Sequence, residues 1–235
     1  MEKGVANDVF TMHLQRFAWL RLHEMVEANN RLRGTESYFW EFLFNVYTKD
    51  QASAVRRQTE ARNEDVASLA RVIFEMKETP ILLTREWWVG LWTGNDGNDP
   101  HWRQRAEAAW AAQFGGGLGD HLDPSIPEAD LAALLDGSKK VRDYVDMHVA
   151  HFDARTIRRD GGPPEPDPED APTRKGTELP TLDDVHDTID LIGRLFVKYE
   201  NLLTAATWAD LTPALQHNWE AIFEIPWKTP EYDGD

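Results

Sequence analysis

A chain of 235 residues can bury a sizeable core, as one large domain or two small ones. Its hydrophobic fraction of 41% and aromatic fraction of 11%, with ten tryptophans, exclude a disordered chain. A formal net charge of −16 argues against gripping nucleic acid by bulk electrostatics, and the lack of cysteine excludes disulfides and cysteine-based metal sites.

Much of the acid excess lies in Glu165–Asp170 and Glu231–Asp235, so a local basic groove stays compatible with the total. No uncharged apolar run reaches about 18 residues, and the opening stretch MEKGVANDVFTMHLQRF has charges through it. Neither a membrane span nor a secretory signal is expected, and a chain without cysteine fits the cytoplasm.

The first helix is predicted from about Asp8 to Arg31. Val9, Phe10, His13, Phe17, Leu20 and Met25 recur at helical spacing, and Asp8 can cap the free amides. His13 and His23 fall on this helix and read as packing or surface residues. Gly34 ends it, and Thr35 can cap the next. Tyr38, Phe39, Trp40, Phe42, Leu43, Phe44, Val46 and Tyr47 then form an apolar band wider than one helix face. That width predicts central burial or packing against another subunit. Arg56, Arg57 and Arg62 make a small basic cluster in an acidic protein. It reads as helix C-terminal charges with surface pairs, or as a phosphate contact.

Asn63 is predicted to cap a helix through Val66, Leu69, Ala70, Val72, Ile73 and Met76, stopped by Pro80. Thr84 caps a short helix over Arg85–Thr93. Gly94–Pro100 is a loop, and Asp99-Pro100 supplies the cap and first-turn proline of a helix over His101–Phe114. The run Gly115–Gly119 lacks the Lys-Ser/Thr of a phosphate-binding loop and reads as a connector.

Ser125-Ile-Pro-Glu128 is a capping-box pattern opening a helix through Leu131, Leu134 and Leu135, and Gly137-Ser138 is a break. Residues 159–179 include GGPPEPDPEDAP and are expected to form a long mobile loop or crossover. Thr181-Leu-Asp-Asp caps a long amphipathic helix through Val185, Ile189, Ile192, Leu195, Phe196, Tyr199 and Leu202. A last helix holds Leu211, Leu215, Trp219, Ile222 and Phe223, and residues 228–235 form a flexible tail. With no alternating strand pattern, the expected fold is all-α. It is an antiparallel helical bundle with additional helices, one domain over residues 1–235.

The stretch with chemistry is Lys139–Arg155, KKVRDYVDMHVAHFDAR. On a regular helix Tyr144, His148, His151 and Arg155 fall at i, i+4, i+7 and i+11 along one edge. Val141, Val145, Val149 and Phe152 form the apolar stripe beside them, and Asp143, Asp146 and Asp153 face away. Three readings compete. The imidazoles can pack on the border of the core. They can share a metal ion, with a third ligand from elsewhere such as Glu24, Glu41, His186 or His217. Or a histidine tuned near neutral pH can move a proton while an arginine stabilises charge on a scissile RNA phosphate, with no cofactor.

The pattern KKVRDYVDMHVAHFD resembles the late-helix motif of the HEPN superfamily, in the branch related to abortive-infection proteins of the U type. AVRRQ, SLARVIFEM and LTRE are similar to that branch too, and the resemblance spans about residues 17–227. It implies a compact α-helical bundle of prokaryotic defence or toxin–antitoxin biology, a homodimer with a cleft shared by two copies of the motif, RNA as substrate, and an antitoxin or other partner protein. The implied signature is an arginine and a polar residue followed, four to six residues on, by a histidine. Arg142-Asp143 with His148 satisfies that count. Counted from the Ala-His-x-Asp end, His151 is the signature histidine and Val145 stands where arginine is expected, which would make the motif degenerate. The resemblance thus implies a metal-independent ribonuclease. His148 or His151 is its acid–base group, Arg142 and Arg155 hold phosphate, and Tyr144 is a positioning hydroxyl. The competing reading is a non-catalytic helical module that binds a further subunit through the band at Tyr38–Tyr47.

Overall fold

The structure, a computed structural model, describes residues 3–29, 32, 38–92, 100–114, 119–149, 179–206, 208, 211 and 218–224. Its helices are α1 (Lys3–Ala28), α2 (Tyr38–Gln58), α3 (Leu69–Glu78), α4 (Arg85–Leu91), α5 (Trp102–Gln113) and α6 (Ser125–Gly137). Next come α7 (Lys139–Tyr144), which runs into a π-helical turn at Val145–Val149, then α8 (Leu182–Thr204) and α9 (Ala221–Glu224). Among the described residues there is no strand, only an isolated bridge between Thr84 and His121. The all-α expectation holds.

The bundle is built around α8. Val185, Ile189, Ile192, Phe196, Tyr199 and Leu202 recur every three or four residues and are all buried. They pack against α1, α2 and α6, with smaller contacts to α3, α4 and α7. The predicted capping box is present: Thr181 Oγ1 accepts the Asp184 N–H at 3.1 Å, and the Thr181 N–H donates back to the Asp184 carboxylate at 2.6 Å. At the other end Ala205 takes a left-handed φ of 53° and donates its N–H to the Asn201 carbonyl at 2.8 Å. A second hydrophobic centre forms where Trp88, Trp110 and Phe114 meet, with ring centroids 5.7–5.8 Å apart. The Trp88 indole N–H donates to the Asn201 carbonyl at 3.2 Å and ties that centre to α8. No described helix is long and apolar enough to cross a membrane.

Several boundaries differ from expectation. The first helix begins before Asp8, whose carboxylate instead accepts from Arg57 and Gln58 of α2, each at 2.7 Å. An ion pair across two helices outcompetes a local cap because it also satisfies the fully buried Gln58 amide. Ser68, not Asn63, caps α3: its Oγ accepts the Arg71 N–H at 3.0 Å, while Asn63 closes a local turn onto the Asp65 N–H at 3.1 Å. The capping box at Ser125 does not form. Ser125 is already helical, and the Asp123 carboxylate accepts both its N–H and its hydroxyl. Thr84 caps α4 as expected, accepting the Trp87 N–H at 3.1 Å.

The aromatic band of α2 is not central. Its buried positions are Gln51, Ala52, Ala54, Val55 and Gln58 in the second half, whereas Tyr38 is 90% and Phe42 60% exposed. The predicted caps Thr35 and Asp99, the loop up to residue 178, residues 212–217 of the last helix and the tail lie outside the described residues.

Candidate functional site

The key helix leaves α6 at the expected break. At Gly137 α8 passes close by: a Cβ there would sit 2.9 Å from Leu191 Cδ2, so that side chain would have to shift. The chain resumes at Lys139, with Val141 and Val145 buried as the apolar stripe predicts. Lys140 donates to Asp184 at 2.8 Å, joining α7 to the start of α8. That bond, then the amide and hydroxyl of Thr181, hold the Asp184 carboxyl down at about 2.

From Val145 onward the regular helix gives way to a π turn. Bonding to the fifth residue instead of the fourth widens the turn, so the advance per residue is smaller than the 100° on which the predicted stripe rests. The α-helical rotation on which that stripe rests therefore ends at Tyr144.

Of the five predicted site residues, the structure places the side chains of two. Arg142 is half-buried and turned back along the chain: Nη1 donates to the Leu135 carbonyl at 3.4 Å. Its Nε is buried without a hydrogen-bond partner among the described residues. Tyr144 is half-buried against the core. His148 lies within the π turn, but its side chain, and the whole of His151 and Arg155, fall outside the described residues.

A guanidinium does reach the π turn, and it comes from α2. Arg56 Nε donates to Asp146 Oδ1 at 2.9 Å, and its Nη1 donates to Glu60 Oε2 at 2.8 Å. Bonds to Glu60 and then Asp146 raise the Arg56 pKa. The Glu60 carboxyl is lowered in turn by Arg56 and by the Arg62 and Asn63 amides. Arg57 pairs with Asp8, so the basic cluster is engaged with acids on both sides.

A second polar group lies between α1, α2 and α8 and is not evident as a cluster in the sequence. His186, only 8% exposed, shares a 2.8 Å hydrogen bond with the Tyr47 hydroxyl, and Tyr47 stacks on Trp19 at 4.7 Å. Arg16 pairs closely with Asp190, and Gln51 donates to Gln15 at 2.6 Å. Burial, then the Arg16 charge, lowers the His186 pKa; burial raises that of Tyr47. The one signal for this group was that His186 continues the buried face of α8.

Among the described residues no three His, Asp or Glu side chains are grouped to hold a metal ion. Of the suggested third ligands, Glu24 pairs with Arg21, Glu41 is exposed, His186 bonds Tyr47, and His217 is outside the described residues. His23 is exposed and His13 half-buried, in line with the bland reading of both.

Against known families, the HEPN_AbiU2 model, described as AbiU2, matches residues 5–222. The chain belongs to the HEPN AbiU2 family. The match covers every helix from α1 to the start of α9, the π turn included, and membership points to abortive-infection defence. Neither the curated proteins nor the solved structures gave a match.

Proposed function

We propose that this HEPN AbiU2 protein is a metal-independent endoribonuclease of prokaryotic defence, acting as a homodimer in the cytoplasm under the control of an antitoxin or similar partner. The observation that supports it is the π turn at Val145–Val149 inside the stretch that carries the HEPN signature. Such turns recur at functional sites because the widened backbone re-aims side chains. His148 or His151 removes the proton from the 2′-hydroxyl, or returns one to the leaving 5′-oxygen. The 2′-oxygen bonds to phosphorus, the bond from phosphorus to the 5′-oxygen breaks, and a 2′,3′-cyclic phosphate results. Guanidinium groups of Arg142 and Arg155 hold the phosphorane charge, and Tyr144 positions the phosphate. In a dimer the two motif copies complete one cleft, so one helix need not align all the groups.

The test is incubation of the purified protein with labelled single-stranded RNA, with and without chelator, beside His148→Ala and His151→Ala. Cleavage that survives chelator and is lost by about a hundredfold or more in one variant is expected. Cleavage abolished by chelator in the wild type would move the reading to a metal site. No cleavage under any condition leaves the second reading, a non-catalytic interaction module. That reading is favoured by one observation, the exposed aromatic face of α2 formed by Tyr38, Phe39 and Phe42.

A further inference from the structure

We infer that Arg56 of α2 supplies a phosphate-binding guanidinium to the site at the end of α7, an inference that rests on the ribonuclease reading above. Asp146 sits inside the π turn, two residues before His148, and Arg56 Nε is 2.9 Å from its carboxylate. Arg142, the arginine that sequence spacing selects, points its Nη1 at the Leu135 carbonyl instead.

Arg56 Nη1 is anchored on Glu60, whose other oxygen accepts the Arg62 and Asn63 amides at 3.1 and 3.3 Å. The planar fork is therefore held from behind by a carboxylate that the loop backbone fixes. Its Nη2 makes no hydrogen bond among the described residues, and the side chain is 30% exposed. Nε and Nη2 form one edge of the guanidinium, the edge suited to two parallel bonds to an oxyanion.

Asp146 is 52% exposed and occupies Nε alone. A phosphodiester brings the same charge with two oxygens that span both nitrogens, so it displaces Asp146 into water at little desolvation cost. In the free protein Asp146 then acts as a placeholder that keeps the guanidinium aimed at the turn.

The test is fluorescence anisotropy with a labelled 2′-O-methyl oligonucleotide, which cannot be cleaved, over a series of salt concentrations. Wild type, Arg56→Gln, Arg56→Lys and Asp146→Asn are compared. Arg103→Gln on α5, whose partners are Glu86 and Glu107, controls for loss of one positive charge. Arg56→Gln is expected to weaken binding about tenfold and to make the plot of log affinity against log salt shallower by about 0.7. Arg56→Lys keeps the slope, Asp146→Asn binds at least as tightly as wild type, and Arg103→Gln leaves the slope unchanged.

An unchanged slope in Arg56→Gln, or a loss in Asp146→Asn matching that in Arg56→Gln, overturns the inference and makes the pair a structural tie. Unmodified RNA is assayed in parallel. Wild-type cleavage with an unaltered slope in Arg56→Gln sinks this inference alone. A wild type that neither cleaves nor binds sinks the ribonuclease reading and this inference with it. Binding without cleavage, with the Arg56 slope change, keeps the phosphate contact and removes the catalysis.

Discussion

Gly193 offers a test of how α1 and α8 meet, because the expected sign of a substitution there depends on its neighbour. In a helix interior, replacing glycine by alanine ordinarily stabilises by up to about 1 kcal/mol, through lower unfolded-chain entropy. Here a Cβ would lie 2.5 Å from His13 Nε2, 2.9 Å from His13 Cε1 and 3.1 Å from Leu211 Cδ1. His13 Nε2 is buried, so the ring can yield only by leaving the interface between the two helices. Overpacking of that kind costs about 1–3 kcal/mol. Gly193→Ala is therefore expected to destabilise by about 1–2 kcal/mol, a fall in Tm of roughly 2–6 °C for a chain of this size. In a His13→Ala background the main overlap is gone, and the same substitution should become neutral or stabilising by about 0.5 kcal/mol. Thermal or urea unfolding of the four proteins gives the coupling directly. A rise in Tm for Gly193→Ala in the wild-type background, or equal effects in both backgrounds, would refute this packing of His13 on Gly193.

Tyr199 is fully buried and donates to Asp130 Oδ2 at 2.8 Å, beside a Lys198 bond of 2.6 Å to the same oxygen; Tyr199→Phe should lower stability by about 1–3 kcal/mol in urea unfolding. His186 has a folded pKa below its ordinary 6.5, so the unfolded chain takes up the proton first. Its contribution is complete above 6.5 and is lost as pH falls through the lowered folded value, so the difference in Tm between wild type and His186→Gln should shrink from pH 7.5 to pH 5. A constant difference would remove His186 from the acid response. Light scattering at micromolar protein should give about twice 26.9 kDa; a monomer at every concentration would exclude the shared cleft.

What the sequence made legible were features settled within one turn of helix. The caps at Thr84 and Thr181, the break at Gly137-Ser138 and the buried face of α8 all depend on neighbours three or four residues away. The misplaced features depend on partners far along the chain. Asp8 looked like a cap because its true partners, Arg57 and Gln58, lie 49 and 50 residues on. Asn63 suits a cap by residue type, yet the cap is Ser68, which also donates its hydroxyl to the Glu60 carbonyl and so fixes the turn before α3. The band at Tyr38–Tyr47 announced its width but not its exposure. Apolar content alone does not say whether a face meets its own core or stays open.

The candidate site illustrates the same divide within a single motif. Counting from an arginine to a histidine assumes a fixed rotation per residue, and that holds as far as Tyr144. At Val145 the backbone bonds one residue further along, and the fixed rotation that the count assumes ends there. The charge facing that turn is then decided by tertiary packing: α2 runs beside both α7 and the π turn, and brings Arg56 within 2.9 Å of Asp146. A guanidinium arriving from a separate helix can keep its aim when the turn shifts, because Glu60 and the Arg62 and Asn63 amides anchor it independently. Arg142, six residues before His148 on the same helix, has no such independence, since its direction is tied to the helix that turns. In this chain, therefore, the arginine that sequence spacing selects and the arginine bonded to the π turn are different residues, and a substitution series that includes only the former would leave the anchored guanidinium untested.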